Sequence, residues 1–103
     1  MALDKLKSDE LDLFFKAILS LEDLAECYRF FEDVCTVSEL EAMSQRLKVA
    51  IMLQQGRKYQ EIVDETGAST ATVSRVKRCL NYGADGYTLV LEKLAKAGEI
   101  KLD

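Results

Sequence analysis

Apolar side chains recur along this chain at intervals of three and four residues in one segment after another, the spacing that gathers them on one face of a helix. In the first segment Leu11, Phe14, Phe15, Ile18 and Leu19 form a broad stripe. Ser8, followed by Asp9 and Glu10, supplies a cap and two acids suited to a helix N-terminus. A helix is therefore predicted over about 9–19, after a loose start at Met1–Lys7. Ser20, with Asp23 three residues on, resembles a second capping arrangement and opens a helix whose stripe is Leu24, Cys27, Tyr28, Phe31 and Val34. Thr36 with Glu39, or one turn on Ser38 with Glu41, reads as a capping box before a long helix to about Gln55. Leu40, Met43, Leu47, Ala50 and Ile51 line one face of it, Gly56 is placed to end it, and Arg57 and Lys58 form a connector.

A short helix over about 59–66 precedes Gly67, and another begins after Ser69 and runs through Leu80, leaving about three residues for the turn between them. Asn81–Gly86, with two glycines and an aspartate, breaks that helix before a last one over about 88–97 that uses Leu89, Val90, Leu91 and Leu94. No internal repeat, low-complexity tract or compositional shift marks a boundary, so residues 1–103 are expected to form one all-α domain of about six helices.

Composition supports this and narrows the chemistry. A 49% hydrophobic chain of 103 residues has enough apolar side chains for one core, and no proline and only five glycines interrupt its helix formers. The formal net charge of −4 by itself opposes a polyanionic partner, but the charge is unevenly spread. Residues 1–55 carry six basic and eleven acidic side chains, whereas Ser69–Tyr82 carry Arg75, Lys77 and Arg78 and no acid. Because screening limits a surface charge to a reach of about 8 Å, this local basic patch decides what binds there. The three cysteines, Cys27, Cys35 and Cys79, have no paired spacing, and no signal peptide or long apolar run accompanies them. A reducing cytoplasm without a membrane partner is expected, with the cysteines as small hydrophobes.

Catalysis finds little support. The absence of histidine removes the commonest general base and metal ligand, the cysteines are too scattered for a zinc site, and the glycines form no phosphate-cradling loop. Asp64 and Glu65 read as solvating charge on an exposed helix. No enzyme activity, metal or cofactor is expected.

The segment YQEIVDETGASTATVSRVKRCL, residues 59–80, has what a DNA-reading helix pair requires. Ile62 and Val63 face inward from the first helix and Val73, Val76 and Leu80 from the second, giving the two a shared apolar contact. Gly67 allows the tight turn. Ser69 caps the second helix, whose opening residues Thr70, Ala71 and Thr72 are small enough to enter a major groove. On the outer face Thr70, Ser74, Arg75, Lys77 and Arg78 are placed for base edges or phosphates, with Gln60 on the first helix suited to either. The expected partner is double-stranded DNA. A helical adaptor for protein partners is the alternative, since this helix pair also serves such roles and the N-terminal half is acidic.

Gln60, Ile62, Gly67, Ser69 and the run Thr72–Arg75 resemble the bacterial repressor helix-turn-helix, and residues 36–62 are similar to the Trp repressor from its ligand-binding loop through its long central helix. The resemblance covers about residues 36–82 and is nearest to the YerC/YecD-type group of Trp repressor-like proteins. It implies an intertwined all-helical homodimer that regulates transcription, as a repressor, with one reading head per chain. The aromatic surfaces of the first two helices, carrying Phe14, Phe15, Tyr28, Phe30 and Phe31, exceed what one buried stripe needs and agree with that expectation.

The resemblance also implies an effector pocket at Thr36, Arg46, Arg75 and Cys79, where the Trp repressor holds its ligand between two arginines. Two positions depart from it. The glycine after the second arginine is Val76 here, and a serine four residues beyond that arginine is Cys79, a weaker partner for a charged amine. L-Tryptophan is therefore not the expected effector; Arg46 and Arg75 are expected instead to pair with acids such as Glu39 or Glu41, or to meet phosphate.

Overall fold

In the computed structural model, which describes residues 5–103, six α-helices follow one another with no strand among the described residues. They are α1 (Asp9–Leu19), α2 (Leu24–Val34), α3 (Val37–Gln54), α4 (Tyr59–Thr66), α5 (Thr70–Tyr82) and α6 (Gly86–Lys96). Of the loose start expected at Met1–Lys7, residues 1–4 lie outside the described chain, and Lys5 and Leu6 already have helical backbone. Contacts divide the chain into two compact units that meet in sequence between Leu40 and Glu41.

The first unit contains α1, α2 and the opening turn of α3. Ser8 caps α1 as expected, its Oγ accepting the Leu11 N–H at 3.1 Å. The cap of α2 is Asp23 rather than Ser20: Asp23 Oδ1 accepts the Glu26 N–H at 2.9 Å, while Glu26 Oε1 accepts the Glu22 N–H at 3.0 Å. Ser20 instead closes α1, donating its hydroxyl to the Ala17 carbonyl at 2.6 Å. An ionised carboxylate is a strong acceptor at a helix N-terminus, and the chain needs Ser20–Glu22 to turn between the helices. At α3 the capping box is Thr36 with Glu39, each side chain accepting the other's backbone N–H, at 3.1 and 2.8 Å. Phe14, Phe15, Phe30 and Phe31 form a chain of ring contacts 5.4–6.1 Å apart. Despite these contacts, no residue of α1 or α2 is buried.

The second unit holds the core. Val49, Ala50 and Met52 of α3 pack with Ile62 of α4, Ala68 of the turn, Val73 and Val76 of α5 and Leu91 of α6. The buried face of α3 thus differs from the expected stripe: of its members only Ala50 is fully buried, Leu47 and Ile51 flank the core, and Met43 is exposed. From Leu47 to Leu53 every residue but Lys48 is apolar, so spacing alone does not select a face there. Gly56 ends α3 in a left-handed conformation (φ 77°), with the Gly56 N–H donating to the Leu53 carbonyl and the Arg57 N–H to the Met52 carbonyl, the paired bonds that close many helices. The last helix begins two residues earlier than expected, and of its apolar residues Leu91 alone is fully buried while Leu89 and Val90 stay exposed. Beyond it Ile100 and Leu102 pack against the core, and Gln55 Nε2 donates to the Lys101 carbonyl at 2.7 Å. The tail is thereby tied to the end of α3.

Candidate nucleic-acid interface

The geometry of α4 and α5 follows from a few local bonds. The Glu61 carboxylate accepts the Lys58 N–H at 3.3 Å, satisfying a donor at the start of α4. Arg57 braces the same helix from outside, with Nε 3.1 Å from Glu61 and Nη2 3.2 Å from Glu65. The Lys58 N–H, and then the Arg57 guanidinium, hold the Glu61 carboxyl below its ordinary range, and the bonds to Glu65 and then Glu61 raise the Arg57 value further.

Gly67 (φ 74°) ends α4 in the left-handed region and donates its N–H to the Val63 carbonyl at 2.9 Å, a conformation in which a Cβ would be strained. Thr66, the last residue of α4, holds the turn from within: its hydroxyl donates to the Ile62 carbonyl at 2.6 Å and accepts the Ala68 N–H at 3.1 Å. Gln45 of α3 donates to the Thr66 carbonyl at 3.1 Å, tying the turn to the long helix. Nothing in the local pattern marks Gln45 for this, because its partner lies 21 residues on.

Ser69 caps α5, its Oγ accepting the Thr72 N–H at 3.1 Å and donating to Thr72 Oγ1 at 3.1 Å. Both hydrogen-bonding capacities of the hydroxyl serve the helix start. Ile62, Val73 and Val76 are fully buried and Val63 and Leu80 half-buried, as the inward spacing predicted. The opposite face of α5 presents Thr70, Ala71, Ser74, Arg75 and Arg78 to solvent, with Thr72 half-buried beside its cap. Lys77 is exposed too, but its ammonium lies 5.5 Å from the centre of the Tyr59 ring at the start of α4, within cation–π range. Gln60, also exposed, donates from Nε2 to Asp64 Oδ1 at 2.8 Å. The structure brings Ser69–Arg78 onto one helix and sets Gln60 on the helix before it.

Of the residues of the expected effector pocket, Thr36 and Arg46 each have a hydrogen-bond partner nearby in sequence. The Thr36 hydroxyl is engaged in the α3 capping box, whose N–H and hydroxyl hold the Glu39 carboxyl below its ordinary range. The expected pairing of the arginines with acids is not found: Arg46 Nε donates to the Ala42 carbonyl at 3.3 Å, and the ion pairs of the described residues are Lys7–Asp12, Arg57–Glu61 and Arg57–Glu65. Arg75 is exposed, and Cys79 borders a shallow apolar hollow of about 490 Å³ with Leu47, Gly83, Ala84, Tyr87 and Val90. Val76, at 1% exposure, belongs to the core. Among the described residues no cluster of His, Cys, Asp or Glu has metal-holding geometry, and no helix is long and apolar enough to cross a membrane.

Two short helices crossing over Ile62, Val73 and Val76, joined through a left-handed glycine and followed by an acid-free exposed helix face, define a helix-turn-helix protein. The family profile for the Trp repressor protein matches residues 9–95, and the chain belongs to that family. It is 58% identical over 94 residues to the uncharacterized protein YerC of Bacillus subtilis (strain 168), covering 91% of this chain and 90% of that relative. A crystal structure of a candidate Trp repressor from Staphylococcus aureus superposes with a TM-score of 0.89 at 53% identity, covering 92% of this chain and 95% of the other. A TrpR-like protein from Eubacterium eligens ATCC 27750 gives 0.87 at 56% identity, covering 89% and 95%. The all-α, Trp repressor-like fold expected from the sequence is the fold of the chain.

Proposed function

We propose that this chain is a bacterial, cytoplasmic, sequence-specific regulator of transcription that places the N-terminal half of α5 in the DNA major groove, and that it represses. The observation that carries the reading is the outer face of α5: Thr70, Ala71, Ser74, Arg75 and Arg78 are solvent-exposed on a helix without an acid, directly behind which Val73 and Val76 lock it to the core. Small residues at the helix start let the backbone approach base edges, Thr70 and Ser74 supply hydroxyls, and Arg75 and Arg78 meet phosphate or guanine. Ser69 and Thr72 act mainly by holding the start of the helix.

The functional unit in this proposal is a homodimer in which both parts of the chain serve one domain. No residue of α1 or α2 is buried, yet Leu13, Leu19, Leu24 and Tyr28 are each at least two-thirds exposed, an apolar surface that a second copy would cover. Two-fold symmetry then gives a palindromic operator with half-sites about 34 Å apart. Selection of bound fragments from random DNA tests the reading. A palindrome bound with a steep salt dependence is expected, and a chain that enriches no sequence and passes through a heparin column in low salt is an adaptor instead.

L-Tryptophan is not the effector in this proposal. The buried Val76 stands where the Trp repressor has glycine, and the exposed Cys79 offers a thiol in place of a hydroxyl. Calorimetric titration with L-tryptophan should show no saturable heat at micromolar concentration, and operator affinity should be the same with and without it.

A further inference from the structure

Gln60 and Asp64 occupy successive turns on the exposed side of α4, and the hydrogen bond between them, 2.8 Å from Gln60 Nε2 to Asp64 Oδ1, has a direction that chemistry dictates. A glutamine amide has a donor end and an acceptor end and can turn either toward a partner, whereas an ionised carboxylate only accepts. Asp64 therefore holds the NH₂ end toward itself and turns the Gln60 carbonyl oxygen away. We infer that Asp64 is a positioning residue that leaves Gln60 one outward acceptor and one outward donor, so that Gln60 prefers adenine, whose edge offers both a donor and an acceptor, over guanine, whose edge offers two acceptors. This rests on the DNA-reading proposed above and deepens it.

The selection follows from the groups left over. The outward carbonyl of Gln60 accepts from adenine N6–H while its second amide N–H donates to adenine N7. Guanine O6 and N7 are both acceptors, so only one of them can take the free N–H and the other is left to the carbonyl oxygen. A glutamine without that anchor would turn its amide to suit either base. Asp64 has a second, separable effect: its negative charge near the DNA lowers affinity for every sequence. Glu65, the next residue along α4, provides the control. It carries the same charge but bonds Arg57 and not Gln60.

Random-sequence selection on the full-length parent, Asp64→Ala, Asp64→Asn, Glu65→Gln and Gln60→Ala separates orientation from charge. In the parent, one position in each half-site should favour adenine over guanine by about tenfold, the size of one good side-chain-to-base contact. Asp64→Ala should flatten that preference to below about threefold while tightening binding to all sequences, and Asp64→Asn should do the same because a neutral amide can present either end. Glu65→Gln should tighten binding with the preference intact. In the Gln60→Ala background, Asp64→Ala should change no base preference. An unchanged profile in Asp64→Ala, or a profile flattened equally by Glu65→Gln, overturns the inference while leaving DNA-reading in place. A parent that enriches no sequence removes both.

Discussion

The Lys77 ammonium stands 5.5 Å from the centre of the Tyr59 ring, bridging the middle of α5 to the first residue of α4. A lysine that appears in the sequence as part of a basic tail is thus also a brace across the helix-turn-helix. Arg78, its neighbour, is exposed without such a contact. The two should respond differently to truncation. Arg78→Ala is expected to weaken binding to all DNA sequences and to lower the slope of log affinity against log salt by about one, the signature of one lost phosphate contact. Lys77→Ala should change the salt slope less and should lower the thermal midpoint, while Lys77→Arg, which also sits over an aromatic ring, should restore it. Equal salt slopes for the two alanine variants would show that Lys77 leaves the ring to bind phosphate.

Ser69 separates helix capping from DNA contact. Its hydroxyl is used in both directions by Thr72, so Ser69→Ala should destabilise the fold by about 1 kcal/mol in urea titration, the usual cost of a lost cap. Ser69→Asp supplies an alternative cap and should recover most of that stability. Its negative charge at the DNA-facing end of α5 should nevertheless reduce operator affinity below that of Ser69→Ala. A Ser69→Asp variant that binds as tightly as the parent would place the start of α5 away from the phosphates.

The capping carboxylates Glu39 and Glu61 give stability a defined dependence on pH. Both have folded values below the ordinary 4.5, Glu39 through the Thr36 N–H and then its hydroxyl, Glu61 through the Lys58 N–H and then Arg57. The unfolded chain therefore binds these protons more readily, and the stabilisation is present above about pH 4.5 and falls away as pH drops through the lower folded values. The urea midpoint of Glu39→Gln should lie below that of the parent at pH 7, and the gap should narrow progressively as pH falls below 4.5. A gap independent of pH would assign the effect to packing.

Exposure of α1 and α2 predicts an oligomer-dependent stability. The thermal midpoint of the parent should rise with protein concentration, as it does when folding is linked to association. Leu13→Gln, at a residue 68% exposed within the single chain, should abolish that dependence and give a monomeric mass by light scattering. Ile62→Ala in the core of the second unit should instead cost about 2–5 kcal/mol and leave the concentration dependence in place. A monomeric parent at micromolar concentration would defeat the dimer reading.

What the sequence made legible was whatever depends on near neighbours. The caps at Ser8 and Ser69, the helix ends at Gly56 and Gly67, and the inward sets Ile62 and Val63 on α4 and Val73, Val76 and Leu80 on α5 each involve residues within about two helical turns, where residue type and helical spacing largely dictate the outcome. Tertiary structure decided the rest. It turned Val49 and Met52 of α3 into the core, because an almost wholly apolar stretch has no preferred face until α4, α5 and α6 surround it. It paired Gln45 with Thr66 and Gln55 with Lys101, contacts 21 and 46 residues apart in sequence. It also made Tyr59 the seat of Lys77, since a long charged side chain has several partners within reach and only the folded arrangement fixes which is nearest.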